Sequence, residues 1–130
     1  MQMTGEPRPA LKLMIVDDSN IIRRRIERSQ QIARLEVVGA ASNGREAVDL
    51  FRRTRPDVVT MDLTMPEMDG VECVQELVAL NSKALILVVS ALADKATAVD
   101  AIEKGANGFL CKPFTDRQLN DALEELLSEA

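Results

Sequence analysis

Leu11-Lys12-Leu13-Met14-Ile15-Val16-Asp17-Asp18-Ser19 is the stretch on which the fold turns. Its first six residues are a short apolar run, the pattern of a strand buried on both faces. Two carboxylates follow, and from Ser19 the period changes. Ile22, Ile26, Ser29 and Ala33 recur at helical spacing, with arginines between them. A doubly buried strand that passes through an acidic pair into an amphipathic helix is the opening half of a strand–helix–strand unit.

Working outward, the same alternation repeats to the end of the chain. Residues 36–41 (EVVGAA) read as a second strand. Asn43 with Glu46 three residues on starts a helix whose apolar face is Ala47, Val48, Leu50 and Phe51. That helix must stop before Pro56, which disfavours a helical residue ahead of it. Residues 57–61 form a third strand closing on Asp62, and a loop over 63–68 contains Pro66. Asp69 and Glu72 cap a helix facing Val71, Val74, Leu77 and Val78 inward. Residues 84–89 (ALILVV) are the strongest strand, and residues 94–104 a helix stopped by Gly105. A short fifth strand over 107–111 precedes a Thr115–Gln118 capping box and a last helix with Leu119, Ala122, Leu123 and Leu126 as its buried stripe. Five strand–helix units predict an α/β fold: a doubly wound, five-stranded parallel sheet with helices on both faces. Ligands of such sheets bind at the carboxyl ends of the strands.

Bulk properties narrow the function. The 130 residues suit one domain, and 46% hydrophobic with 2% aromatic content requires an aliphatic core. No apolar run approaches the roughly 18 residues that would span a bilayer. Residues 1–10, with Gly5, Pro7 and Pro9, read as a flexible lead-in rather than a targeting peptide, ahead of a domain over 11–130, so a cytoplasmic protein is expected. Net charge is −5, against general nucleic-acid binding. Arg23, Arg24, Arg25 and Arg28 stand out locally, as a solvated helix side or as a docking patch for an acidic partner. Cys73 and Cys111 form no metal-ligand pair and read as reduced core residues, with a regulatory disulfide as the alternative. The chain has no histidine, which excludes Ser-His-Asp and Cys-His catalysis and any phosphohistidine of its own.

The predicted strand ends carry the chemistry. Strand one ends in Asp17-Asp18, strand three in Asp62, strand four in Ser90, and strand five is followed by Lys112-Pro113. Alone, each has a bland reading as a helix cap, a turn hydroxyl or a surface lysine. Together they place three carboxylates, a hydroxyl and an ammonium on one rim. Crowded carboxylates repel unless a cation joins them. Oxygen donors in an incomplete shell favour Mg²⁺, which keeps waters and accepts phosphate oxygens. Lys112 is a point charge for a phosphate oxygen and Ser90 a hydrogen-bond donor to it. The set suits in-line phosphoryl transfer to a carboxylate.

Ile15-Val16-Asp17-Asp18-Ser19, Met61-Asp62-Leu63-Thr64-Met65-Pro66-Glu67-Met68-Asp69-Gly70, Ser90-Ala91 and Lys112-Pro113-Phe114 together resemble the ordered motifs of the response-regulator receiver family, over roughly residues 11–129. The resemblance implies a flavodoxin-like sheet of order 2-1-3-4-5, the order known for CheY-type domains. It implies Asp62 as phosphoacceptor, with Mg²⁺ on Asp18, Asp62 and the Thr64 carbonyl, and on Asp17 through water. Ser90 and Lys112 would meet the phosphoryl group, Lys112-Pro113 would be a cis peptide, and Phe109 would be the rotating switch aromatic, here without a tyrosine hydroxyl. Thr64 and Leu92 stand at the positions that tune autodephosphorylation. The implied protein is a phosphorylated switch rather than an enzyme, acting as a monomer and binding neither nucleic acid nor membrane. A histidine kinase or phosphotransfer protein would be its phosphodonor, and helix four, strand five and helix five would form its output face.

Within the family, Met1 at the start and Ser128-Glu129-Ala130 just after the last helix fit a single-domain regulator, and the residues around Asp62 resemble chemotaxis receivers. A receiver excised from a larger regulator is the alternative. A haloacid-dehalogenase-like Mg²⁺ phosphatase would need a DxD pattern ending strand one, where this chain has Asp17-Asp18-Ser19-Asn20. A nucleotide binder would need glycine-rich phosphate loops that are absent.

Overall fold

The computed structural model describes residues 10–65, 68–91 and 95–128. Most of the lead-in, Pro66, Glu67, Leu92 and Asp94 therefore lie outside the described residues. Strands and helices alternate as β1 (Leu11–Val16), α1 (Asn20–Ser29), β2 (Leu35–Ala41), α2 (Gly44–Thr54), β3 (Val58–Met61), α3 (Gly70–Leu80), β4 (Leu85–Ala91), α4 (Lys95–Glu103), β5 (Gly108–Lys112) and α5 (Asp116–Ser128). All strand pairs are parallel, in the order β2-β1-β3-β4-β5. This is the doubly wound (βα)5 parallel sheet expected from the strand–helix alternation, in the flavodoxin-like order that the family resemblance implied.

Alternate residues of each strand feed two separate cores. Met14, Val16, Val59, Met61, Ile86 and Val88 join α2, α3 and α4 on one face. Leu13, Ile15, Val58, Leu87 and Val89 join Ile26 of α1 and Leu119, Leu123 and Leu126 of α5 on the other. The chain leaves β1 for β2 on one side and returns to β3 on the other. The crevice of the sheet therefore opens between the carboxyl ends of β1 and β3.

Capping residues fix where each helix starts. Ser19 Oγ accepts from the Ile22 N–H (3.3 Å), Asn43 from Glu46 (2.9 Å) and Asp69 from Glu72 (2.8 Å). The Thr115–Gln118 box closes in both directions (2.8 and 3.1 Å). At α2 the reciprocal bond differs: Glu46 reaches past Asn43 to the backbone N–H and hydroxyl of Ser42 (2.9 and 2.8 Å).

Some expectations shift. Helix α1 ends at Ser29, so Ala33 lies beyond it and only Ile26 of the expected stripe is fully buried. Asp57 precedes β3 and instead exchanges bonds with Lys12, its carboxylate accepting the Lys12 N–H at 2.8 Å. Cys73 is a core residue of α3, as expected, whereas Cys111 is only half-buried. The packing of α1 on α5 is stitched by Asn120, which accepts the Gln31 N–H (2.6 Å) and donates to the Ser29 carbonyl (2.8 Å).

Candidate functional site

Register brings two of the carboxylates together. Val16 of β1 lies opposite Met61 of β3, and the Asp62 N–H donates to the Val16 carbonyl at 2.9 Å. Asp17 and Asp62 thus leave neighbouring strands side by side, about one strand spacing of ~4.8 Å apart. Carboxylate oxygens of Asp17, Asp18 and Asp62 lie within 4.8 Å of one another. Asp17 and Asp62 are buried and Asp18 is exposed. Ser19 turns the chain into α1 immediately beyond, its N–H donating to Asp17 Oδ1 at 2.9 Å. The positive end of α1 thereby faces the acidic pair.

Lys112, the last residue of β5, crosses to the same crevice. Its Nζ stands 2.8 Å from Asp17 Oδ2 and 3.7 Å from Asp62 Oδ1. The Lys112–Pro113 peptide bond is cis. Ser90 is buried on β4 opposite Cys111, one position before the Ala91–Lys112 pair. Phe109, opposite Val88, is half-buried against the core of the α2–α4 face. Thr64 is exposed, and its N–H donates to Asp62 Oδ1 at 3.2 Å. The structure thus gathers Asp17, Asp18, Asp62 and Lys112 at one point, with Ser90 and Thr64 beside them; Leu92 is outside the described residues.

Charge is unevenly compensated here. Burial, then the neighbouring Asp17 charge, pushes the Asp62 carboxyl up to about 6, while Lys112 and the Thr64 N–H pull it back. Asp17 Oδ2 is buried and, although close to Lys112 Nζ, takes no hydrogen bond of good geometry; that contact is an ion pair only. Three carboxylates converging on a single ammonium are a donor set suited to a hard divalent cation, and Mg²⁺ fits it.

Sequence reading placed Arg23 and Arg25 on a solvated helix side; both are instead half-buried and engaged. Arg23 Nη1 donates to the Asp17 carbonyl at 2.6 Å and Nη2 to Asn20 Oδ1 at 3.0 Å. The signal was positional: helix side chains lean toward the N-terminus, so an arginine one turn into α1 lies back over the acidic turn. Gly70 also escaped notice. A Cβ there would sit 2.3 Å from Leu63 Cα and 2.5 Å from the Asp62 carbonyl oxygen, so α3 can start against the Asp62 loop only with glycine. In the sequence Asp69 marks the start of a helix, and nothing there marks Gly70 as a point of close backbone approach.

A doubly wound sheet with an acidic crevice, a lysine and a buried serine at its strand ends defines an α/β domain with a rim suited to a cation and an anion together. Comparison with known proteins specifies the class further. The family profile described as "Response regulator receiver domain" matches residues 13–124, and the chain belongs to that family. It is 43% identical over 115 residues to a "Chemotaxis protein CheY" of Listeria monocytogenes, covering 88% of this chain and 97% of that protein. It is 45% identical over 109 residues to a protein-glutamate methylesterase/protein-glutamine glutaminase of Vibrio cholerae, covering 82% of this chain but only 29% of that protein. A chain of the CheX-CheY-BeF3-Mg²⁺ complex of Borrelia burgdorferi superposes with a TM-score of 0.85 at 26% identity, over 92% of this chain and 90% of that one. The protein is a CheY-like receiver domain of a response regulator.

Proposed function

We propose that this receiver is a single-domain regulator of a two-component, chemotaxis-type pathway that accepts a phosphoryl group on Asp62 in a Mg²⁺-dependent reaction. The observation that carries the reading is the convergence of the buried Asp62 carboxylate with Asp17, Asp18 and the Lys112 ammonium. Asp18, Asp62 and the Thr64 carbonyl, with Asp17 through water, would hold Mg²⁺, which would supply positive charge to offset the carboxylates and the incoming phosphoryl oxygens.

An Asp62 oxygen attacks phosphorus in line as the bond to the donor's leaving group breaks, and the leaving group departs with the electron pair. Lys112 passes from Asp17 to a phosphoryl oxygen, and Ser90 donates a hydrogen bond to the same group. Phe109 then moves into the space that Ser90 vacates. That movement changes the face made by α4, β5 and α5, where Val99 (51%) and Ile102 (45%) are exposed apolar side chains of α4. Near-complete switching of such a two-state element takes about 5.5 kcal/mol of differential interaction.

This chain holds no histidine, so the phosphoryl group comes from outside it, and membership of the family implies a histidine kinase or phosphotransfer protein as donor. The protein acts as a cytoplasmic monomer and is a phosphoacceptor rather than an enzyme. No helix among the described residues is long and apolar enough to cross a membrane. The Vibrio relative, of which the chain covers 29%, favours a second reading: a receiver that regulates an attached domain. Incubating the chain with acetyl phosphate and Mg²⁺ tests the common core. One added phosphoryl group by mass is expected, and none at that site in Asp62→Asn. Labelling that survives the substitution unchanged removes Asp62 from the role.

A further inference from the structure

We infer that Arg25 is a positioning residue for Lys112, holding the loop after β5 so that the ammonium stays in front of the acidic pocket. The inference rests on the phosphoacceptor reading above. Arg25 lies on α1, yet among the described residues its polar contacts are to the loop that links β5 to α5 and to the start of α5. Its guanidinium stacks 4.5 Å from the centroid of the Phe114 ring, Nη2 donates to the Phe114 carbonyl, and Asp116 Oδ1 is 3.8 Å away. One side chain thereby engages the ring and backbone of a residue two places after Lys112, together with the first residue of α5.

The geometry gives this tether a specific purpose. Arg23 of the same helix holds the backbone of Asp17 at 2.6 Å. Residues two apart on a helix do not share a face, so one arginine reaches the end of β1 and the other the loop after β5. Helix α1 therefore holds the Asp17 backbone and, two residues past Lys112, the loop that carries the other partner of the 2.8 Å Lys112–Asp17 pair. Packing alone does not call for an arginine here: Phe114 is 3% exposed and sits in the apolar core beside Leu119 and Leu123. What a guanidinium adds is a planar fork that stacks on the ring while bonding the carbonyl, which an ammonium cannot do.

The test uses the full chain with Arg25→Ala and Arg25→Lys, each made alone and with Lys112→Ala. Two quantities are read: the rate of Asp62 phosphorylation by acetyl phosphate, and Mg²⁺ affinity by titration calorimetry. A 1 Å misplacement of a reacting group costs about 100-fold, so partial loosening by Arg25→Ala is expected to slow phosphorylation about tenfold. Arg25→Lys should fail to restore the rate, and Arg25→Ala should change little once Lys112 is gone. Mg²⁺ should bind Arg25→Ala about two- to fivefold more tightly, because the ammonium no longer stands fixed against Asp17. A merely structural role would slow both backgrounds alike and weaken Mg²⁺ binding, and either result overturns the tether. If acetyl phosphate fails to label the unsubstituted chain, the phosphoacceptor reading falls instead; the Mg²⁺ titration still judges Arg25, with unchanged or weaker affinity counting against it.

Discussion

Replacing Asp62 by asparagine should make the protein more stable in the absence of divalent cations. Asp62 is 4% exposed, faces Asp17 and Asp18, and meets Lys112 only at 3.7 Å, while that ammonium is closer to Asp17. Burial and the Asp17 charge raise its carboxyl from 3.8 to about 6. Because the native carboxyl holds its proton to higher pH than the unfolded one, ionisation favours unfolding. The stability this group contributes is complete below about pH 4 and is lost as pH rises through about 6. Two pKa units at 1.36 kcal/mol each put the burden near 3 kcal/mol at pH 7.5, shrinking to about 1 kcal/mol near pH 4.5. Asparagine keeps the shape and an acceptor for the Thr64 N–H, so it removes the charge with little else. Urea unfolding in EDTA at the two pH values measures the difference. Saturating Mg²⁺ should cancel or reverse the gain, because the wild-type site binds the cation more tightly. An asparagine variant that is less stable than wild type in EDTA at pH 7.5 would refute the electrostatic account of the site.

Thr60 of β3 is 1% exposed, and its buried hydroxyl has no hydrogen-bond partner. Thr60→Val should therefore stabilise by about 1 kcal/mol, read as a higher urea midpoint at unchanged slope. Gly70→Ala forces a methyl against the Leu63 Cα and the Asp62 carbonyl. It should cost about 2–3 kcal/mol and slow phosphorylation, and an unaffected midpoint would show that the α3 start has more room than the structure gives it. The lifetime of the phosphorylated form is a sequence-based expectation. An apolar Leu92 cannot orient water, so slow loss of the phosphoryl group is predicted for the wild type and faster loss for Leu92→Glu. Identical decay of the two would count against it.

Strands and helices were legible because each signal is local. Doubly buried strands such as Ile86–Val89 are unbroken apolar runs, and Ser19, Asn43, Asp69 and Thr115 each cap a helix within three residues of chain. The gathering of Asp17, Asp62 and Lys112 was legible for a different reason: parallel strands end on the same rim, so residues just past each end are forced together. What stayed hidden depends on direction rather than spacing. Nothing in the run Arg23-Arg24-Arg25 shows that the first arginine turns back to the Asp17 carbonyl and the third crosses to Phe114, because those partners lie on other elements. The tight fit of Gly70 against the Asp62 loop is equally invisible, since it is a distance between two backbones.

The same contrast explains how the site is built. The acidic cluster follows from topology, because β1 and β3 are neighbours that end on the same rim. Repulsion in that cluster is a cost that neither Lys112 nor the α1 dipole removes, as the raised Asp62 carboxyl shows. A site left under-neutralised in this way has a gap that a divalent cation can fill, and the cation in turn makes room for phosphate. Had Lys112 paired fully with Asp62, the carboxylate would be quiet, stable and a poorer partner for either. The ammonium instead lies nearer Asp17, by 2.8 against 3.7 Å, which leaves the Asp62 oxygens the less compensated pair. The stability lost at Asp62 and the reactivity proposed for it therefore have one electrostatic origin, so substitutions that quiet this carboxylate should cost phosphoryl acceptance as they raise stability.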